Sequence, residues 1–417
     1  MIEYRKDSMP KKSVAMKILS AYGGGVTNVT EGVEYTAFGR DMEVLKFDQT
    51  LKMTANSSGR MEVYVGPYGV GKSFILALFQ NLAIKKGFVV MTAEISRDKW
   101  FAGTTYDRQG LHLYRELIKN TAIKGKTSSA FDLILQKWYE NLRDSTSGTL
   151  QDIFSEFDRT TSDCKDLPMY DDIRGAIQTR FKEINADVDH SEAMGFFMAN
   201  ITKKSDAEAV GAKDYIRESG WFDILNTWSH LFVKAGYKGL IVMVDQVDYL
   251  TNLQKVNRQQ NYEFLLSMWN AVNQGRTEYL SVCLFAADKL VDDERRGTQM
   301  YGALDDRFAN ATRLDILPPS QLVGLLKKLK EIHEFAYNWE SQISDDDITS
   351  FVNASLENNS MSSNCVRPIS MKWVALLNDK QIGNDHGMNE YVEAVGQEAE
   401  RESAEETPED SGEFLDD

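Results

Sequence analysis

A chain of 417 residues, 42% of them hydrophobic, can bury one large core or two modest ones, and no apolar run approaches the length of a membrane span. The formal charge of −16 argues against a surface built to neutralise nucleic-acid phosphates, although residues 390–417 hold twelve acidic residues against Arg401 alone and leave −5 for the rest. Cys164, Cys283 and Cys365 have no metal-ligand spacing, and Met1-Ile2-Glu3-Tyr4-Arg5-Lys6 carries no secretory apolar segment, so a reduced, cytoplasmic protein without a membrane partner is expected.

Residues 10–22 have helical spacing, followed by a turn at Gly23-Gly24-Gly25 and an extended stretch to Phe38. Gly39-Arg40 then opens a helix to about Lys52. Met61–Val65 reads as a short β-rich strand, and Phe74 to Lys86 places Ile75, Leu78, Phe79 and Leu82 on one helical face. Between them Gly66-Pro67-Tyr68-Gly69-Val70-Gly71-Lys72-Ser73 satisfies G-x-x-x-x-G-K-[ST]. In such a loop backbone N–H groups and the positive end of the following helix, with Phe74 in its first turn, cradle phosphates. Lys72 reaches the β- and γ-phosphates and Ser73 a magnesium ion. A nucleoside triphosphate is the ligand this chemistry predicts.

Phe88 to Ile95 predicts a buried strand, and residues 105–236 read as mostly helical, with polar breaks near 143–149, 160–168 and 202–212. Gly239-Leu240-Ile241-Val242-Met243-Val244-Asp245 is an apolar run ending in a carboxylate, the shape of a Walker B strand whose aspartate helps hold magnesium. Further strands are predicted at Tyr279–Ala287 and Thr312–Leu317. Because the strand at 88–95 separates the loop strand from the Asp245 strand in the chain, the expected fold is α/β: a domain of the additional-strand, AAA+/RecA-like group around a parallel sheet, with a large helical insertion.

Pro318-Pro319 breaks the chain, and Ser320 to Glu334 predicts a helix with Ser320 at its N-cap. Asp345–Glu357 and Ile369–Asn378 are also predicted helical, which makes a C-terminal helical lid. Little beyond Phe414 and Leu415 can be buried at the end of the chain. The expected division is thus an ATPase core at 1–317 with its insertion at about 100–236, a lid at 318–389, and a disordered acidic tail at 390–417.

Several separated segments together resemble one family. They are Gly39-Arg40, the loop at Gly66, the approach Gly236-Tyr237-Lys238-Gly239-Leu240, the stretch Asp292-Asp293-Glu294-Arg295-Arg296-Gly297, Tyr301 with Ala303-Leu304 and Arg307, and Arg367-Pro368. This combination resembles the BREX-associated ATP-binding proteins of phage-resistance gene clusters, AAA+-like relatives of origin-recognition and STAND-type ATPases, over roughly residues 10–380. The resemblance implies ATP and Mg2+ as cofactors. It places Gly39 and Arg40 near the adenine and Gly66, Gly69, Gly71, Lys72 and Ser73 on the phosphates and magnesium, with Asp245 as metal ligand. It implies Arg307 as an arginine finger and Arg367 as a lid sensor. It also implies a homo-oligomer or other defence proteins as partners, with DNA contacted directly or through them.

One position departs from the pattern. Where such proteins carry a catalytic glutamate after the aspartate, this chain has Gln246, whose amide can orient water but cannot take its proton. Asp248 is a poor substitute: on an extended strand it would face away from Asp245 unless a turn intervenes, and a capping or surface role is expected for it. The sequence thus supports an ATP-dependent switch or motor, with an origin-recognition-like DNA loader or a signalling switch without turnover as alternatives.

Overall fold

The computed structural model describes residues 8–25, 31–104, 106–188, 191–358, 366–384 and 386–406. Cys365, Phe414 and Leu415 lie outside them. The chain divides into two compact units, one of residues 1–44, 66–81 and 313–417, the other of 45–65 and 82–312. This differs from the core, lid and tail expected from the sequence, because the glycine loop groups with the chain's two ends.

In chain order the elements are α1 (Lys12–Gly23), α2 (Asp41–Ala55), β1 (Met61–Val65), α3 (Lys72–Lys85), β2 (Val89–Glu94), α4 (Gln109–Lys119), α5 (Phe131–Asp144), α6 (Leu150–Thr160), α7 (Tyr170–Asn185), α8 (Glu192–Phe197), α9 (Lys204–Ala209), α10 (Trp221–Lys234), β3 (Leu240–Asp245), α11 (Lys255–Asn273), β4 (Leu280–Ala286), α12 (Lys289–Asp292), α13 (Gly302–Phe308), β5 (Thr312–Arg313), α14 (Pro319–Tyr337), α15 (Asp345–Asn358), α16 (Val366–Ile382) and α17 (Met388–Glu406). Among the described residues no helix is long and apolar enough to cross a membrane.

The five strands form one sheet in the order β2-β3-β4-β1-β5. β2, β3, β4 and β1 run parallel, in the register Ala93↔Val244↔Leu284↔Val63. Parallel strands covered on both faces need continuous apolar runs, and β1, β3 and β4 are buried along their whole lengths. One face, carrying Val63, Met91, Val242 and Leu284, joins the core of the helices between β2 and β3. There Phe131 packs edge-on against Trp228 at 4.7 Å, and Trp138 against Phe157 at 5.0 Å. The predicted helical insertion is present as α4 to α10. The predicted strand at Thr312–Leu317 shortens to two residues, β5.

In the other unit α1, α14, α15, α16 and α17 pack around Leu19, Leu326, Leu329, Phe351 and Trp373. Pro318, not Ser320, occupies the cap position of α14, and Pro319 is its first residue, where a missing N–H costs nothing. The expected tail is corrected over its first part. α17 extends to Glu406 and buries Tyr391, Val392 and Val395, an i, i+1, i+4 pattern that supplies the apolar stripe a charged helix needs.

Candidate functional site

The glycine loop follows directly on Val65, the last residue of β1, and ends where α3 begins at Lys72. Gly69 has φ +72° and Gly71 φ +99°, left-handed values that a side chain would strain. A Cβ on Gly71 would meet nothing closer than 3.7 Å, so backbone conformation rather than space demands glycine there. At Gly66 the reverse holds, since a Cβ would come within 3.0 Å of the Leu314 carbonyl oxygen. The first turn of α3 contains no acidic residue, so no carboxylate of its own offsets the positive end of the helix dipole at Lys72, Ser73 and Phe74.

Lys72 Nζ donates to the carbonyls of Gly66 at 2.9 Å and Pro67 at 2.8 Å and lies 5.0 Å from the centre of the Tyr68 ring. Arg40 is buried beneath the loop. Its Nη2 donates to the Val70 carbonyl at 2.6 Å and its Nη1 to the Asp315 carbonyl at 2.9 Å, with Glu43 at 3.4 Å. Burial pushes the guanidinium pKa down and Glu43 opposes it. The resemblance places Arg40 near the adenine; within the fold its bonds hold the carbonyls of Val70 and Asp315. Neighbouring Gly39 has φ +65°, and a Cβ there would press within 2.8 Å of Leu317. Arg367 stands exposed at the start of α16, beside Gly25.

In the sheet unit Asp245 ends β3, buried, and its Oδ1 accepts the backbone N–H of Gln246 at 2.8 Å. Gln246 turns the chain with φ +57° and is exposed. The turn that sequence reasoning made conditional therefore intervenes, and a 3₁₀ helix over Val247–Asn252 follows. Asp248 within it is not a surface residue. It is buried, accepts the Ala287 N–H at 2.8 Å and pairs with Lys289 at 3.2 Å, so it fastens the ends of β3 and β4 together.

Glu94 was not singled out in the sequence. It ends β2 in register with Asp245, and the signal was legible, since Phe88 to Glu94 is also an apolar run closing on a carboxylate. Burial, with Asp245 and Glu116 nearby, raises its pKa against the opposing pull of Lys99.

Arg307 lies half-buried on α13. The preceding Asp292–Gly297 stretch is a structural corner: Asp293 Oδ1 accepts the N–H groups of Arg295 at 2.8 Å and Arg296 at 2.9 Å, and Tyr262 donates to the Arg296 carbonyl at 2.7 Å.

The Ser73 hydroxyl and Asp245 carboxylate are hard oxygen donors, which suit magnesium. Among the described residues no cluster of three or more His, Cys, Asp or Glu could hold a metal by itself.

The model of one protein family, described as BREX system ATP-binding protein BrxC/D, matches residues 11–389 of the chain. No curated protein matches it.

Proposed function

Because the chain belongs to the BREX system ATP-binding BrxC/D family, we propose that it is an ATP-dependent switch or motor acting on a DNA-acting complex of phage defence. The observation that carries this reading is the loop: Gly69 and Gly71 in left-handed conformation, α3 starting at Lys72, and Arg40 bracing Val70 from below. The sheet order adds support for the additional-strand AAA+-like class, since β4 lies between β1 and β3.

In this reading the backbone from Gly66 through Gly71, with Pro67, Tyr68 and Val70, wraps the phosphates, and the N–H groups of Ser73 and Phe74 face them. Lys72 exchanges the Gly66 and Pro67 carbonyls for phosphate oxygens, a stronger, charge-assisted partnership. Ser73 and Asp245 are the ligands for magnesium, which neutralises phosphate charge when bound. Gln246 orients water. Gly39 and Arg40 form the corner at the adenine end, Arg367 senses the γ-phosphate from the helical bundle, and Arg307 is supplied to a second copy as an arginine finger.

Calorimetric titration with ATP and Mg2+ tests the grip. Lys72→Ala is expected to weaken binding by about 100-fold or more through loss of a charge-assisted contact, and to abolish protection in a plaque assay. Undiminished ATP binding by the variant would refute the reading.

A further inference from the structure

Within the unit of residues 45–65 and 82–312, α4, α11 and the segment leading into α10 enclose a cavity of about 670 Å³. Its apolar floor is Leu111, Ile216 and Phe264, and Phe264 is backed ring on ring by Trp221 at 5.5 Å and Phe101 at 6.2 Å. Bonds between the segments hold the walls in place. Asn261 donates to the Ala102 carbonyl at 3.1 Å and accepts its N–H at 3.0 Å. Glu218 accepts the N–H groups of Gly103 at 2.8 Å, Gly110 at 2.7 Å and Leu111 at 2.9 Å. A Cβ on Gly103 would come within 2.8 Å of Glu218 Oε1 and one on Gly110 within 2.6 Å, so glycine at both positions lets that carboxylate reach the backbone.

The charges lining the cavity differ in what holds them. Glu218 is taken up by those three N–H groups. Arg217 pairs with Asp214 at 2.8 Å and lies 4.7 Å from the centre of the Tyr215 ring. Glu263 accepts from Gln259 Nε2 at 3.0 Å. Arg108 is half-buried, and among the described residues no carboxylate pairs with its guanidinium. It stands near a like charge instead, since burial and then Arg108 push the pKa of Arg115 down.

We propose that this cavity is a binding site for a small organic anion, an apolar ring system carrying one carboxylate or phosphate, with Arg108 as the group that recognises the charge. Cavities of about 300–1,000 Å³, largely apolar with a few placed polar groups, are the form such sites take. A half-buried guanidinium gives up hydration, and a ligand anion returns it a charge-assisted, two-pronged partner. The ring body covers Leu111, Ile216 and Phe264, while the negative charge of Glu263 limits the ligand to one anionic group, set toward Arg108. No strand residue lines the cavity, so a peptide strand has no edge to join there. The proposal is independent of the ATP-binding reading, because none of the lining residues belongs to the glycine loop.

The test is fluorescence titration of the full-length protein with anilinonaphthalenesulfonate, an apolar ring anion that brightens on leaving water. One saturable site is expected. Arg108 has φ +52°, a left-handed value that asparagine also accepts, so Arg108→Asn removes the cation without straining the backbone and is expected to weaken binding about 10-fold or more. Gln260→Trp fills the cavity from an exposed position on α11 and is expected to abolish binding. Melting temperatures of both variants should match the wild type. Naphthoate or naphthyl phosphate should displace the probe, the stronger of the two identifying the head group, and neutral naphthylmethanol should not. The proposal is overturned by wild-type protein with no saturable site, by unchanged affinity in either variant, or by equal displacement with the neutral alcohol. Displacement by ATP with Mg2+ would also overturn it, by putting the probe on the glycine loop. None of these results bears on the ATP-binding reading, which Lys72→Ala judges separately.

Discussion

Arg40 donates to the carbonyl of Val70 at 2.6 Å from a position 3% exposed. A residue thirty positions upstream of Val70 thereby fixes the carbonyl between the loop's two left-handed glycines. Truncation to Ala would leave the buried Val70 carbonyl without this donor, at a cost of about 1–3 kcal/mol, and would free the exposed Asp315 carbonyl to water at a smaller one. Arg40→Ala is therefore expected to lower the melting temperature and weaken ATP binding together, by calorimetry of both. Arg40→Lys cannot span both carbonyls with one ammonium and is expected to fall between the two.

Gly71 has room for a methyl group but not the backbone for it. Gly71→Ala is expected to cost about 1–2 kcal/mol in chemical denaturation from the left-handed φ alone. It should reduce ATP affinity more than it reduces stability, because the strain relaxes by reshaping the cradle itself. A variant with unchanged affinity would show that the loop conformation is not the binding conformation.

Gly297 shows the opposite balance. Its φ of −77° is ordinary, yet a Cβ would come within 2.6 Å of the Asp293 carbonyl oxygen and 2.8 Å of that of Leu290. Gly297→Ala is expected to destabilise by about 1–3 kcal/mol by overpacking the corner that Tyr262 and Asp293 hold. Denaturant unfolding should register this loss while ATP affinity per folded molecule stays the same.

His333 is fully buried on α14. Trp339 Nε1 donates to its Nδ1 at 2.8 Å, so Nε2 carries the proton and donates to Asn378 Oδ1 at 2.9 Å. Burial, the larger influence, lowers its pKa below 6.5, against the raising effect of Asn378. The unfolded chain therefore binds the proton first as pH falls, and stability that is full above pH 6.5 declines below it toward the folded-state value. Urea midpoints taken from pH 7.5 to pH 5 should fall in the wild type. The decline should be shallower in His333→Gln, which keeps an acceptor for Trp339. His230, also lowered by burial, contributes equally to both proteins and cancels in the difference.

The glycine loop, the strands at 88–95 and before Asp245, the helical insertion and the helices of the C-terminal region could be read from the chain because each rests on local chemistry. Periodicity marks a buried strand or helix, and glycine at a fixed offset marks a left-handed turn, wherever they occur. Ser320 misled because its capping propensity competes with Pro318-Pro319, whose fixed φ places the cap of α14 two residues earlier, at Pro318. α17 was obscured by its acidic composition, since an apolar stripe as sparse as Tyr391, Val392 and Val395 orders a helix only when a bundle is there to receive it.

By itself the sequence determined that Gly66–Ser73 carries the pattern of a phosphate-binding loop, that Asp245 closes a buried strand, and that Gln246 stands where a carboxylate is usual. Only the tertiary structure decided what the charged residues around these motifs do. Arg40 is turned inward to brace the loop, Asp248 is consumed by Ala287 and Lys289, and Glu94 ends β2 in register with Asp245, between the repulsion of Asp245 and Glu116 and the pull of Lys99. The reason is physical: a carboxylate or guanidinium has the same chemistry everywhere in a sequence, and its role is set by which donors, acceptors and low-dielectric surroundings the fold brings to it from distant positions.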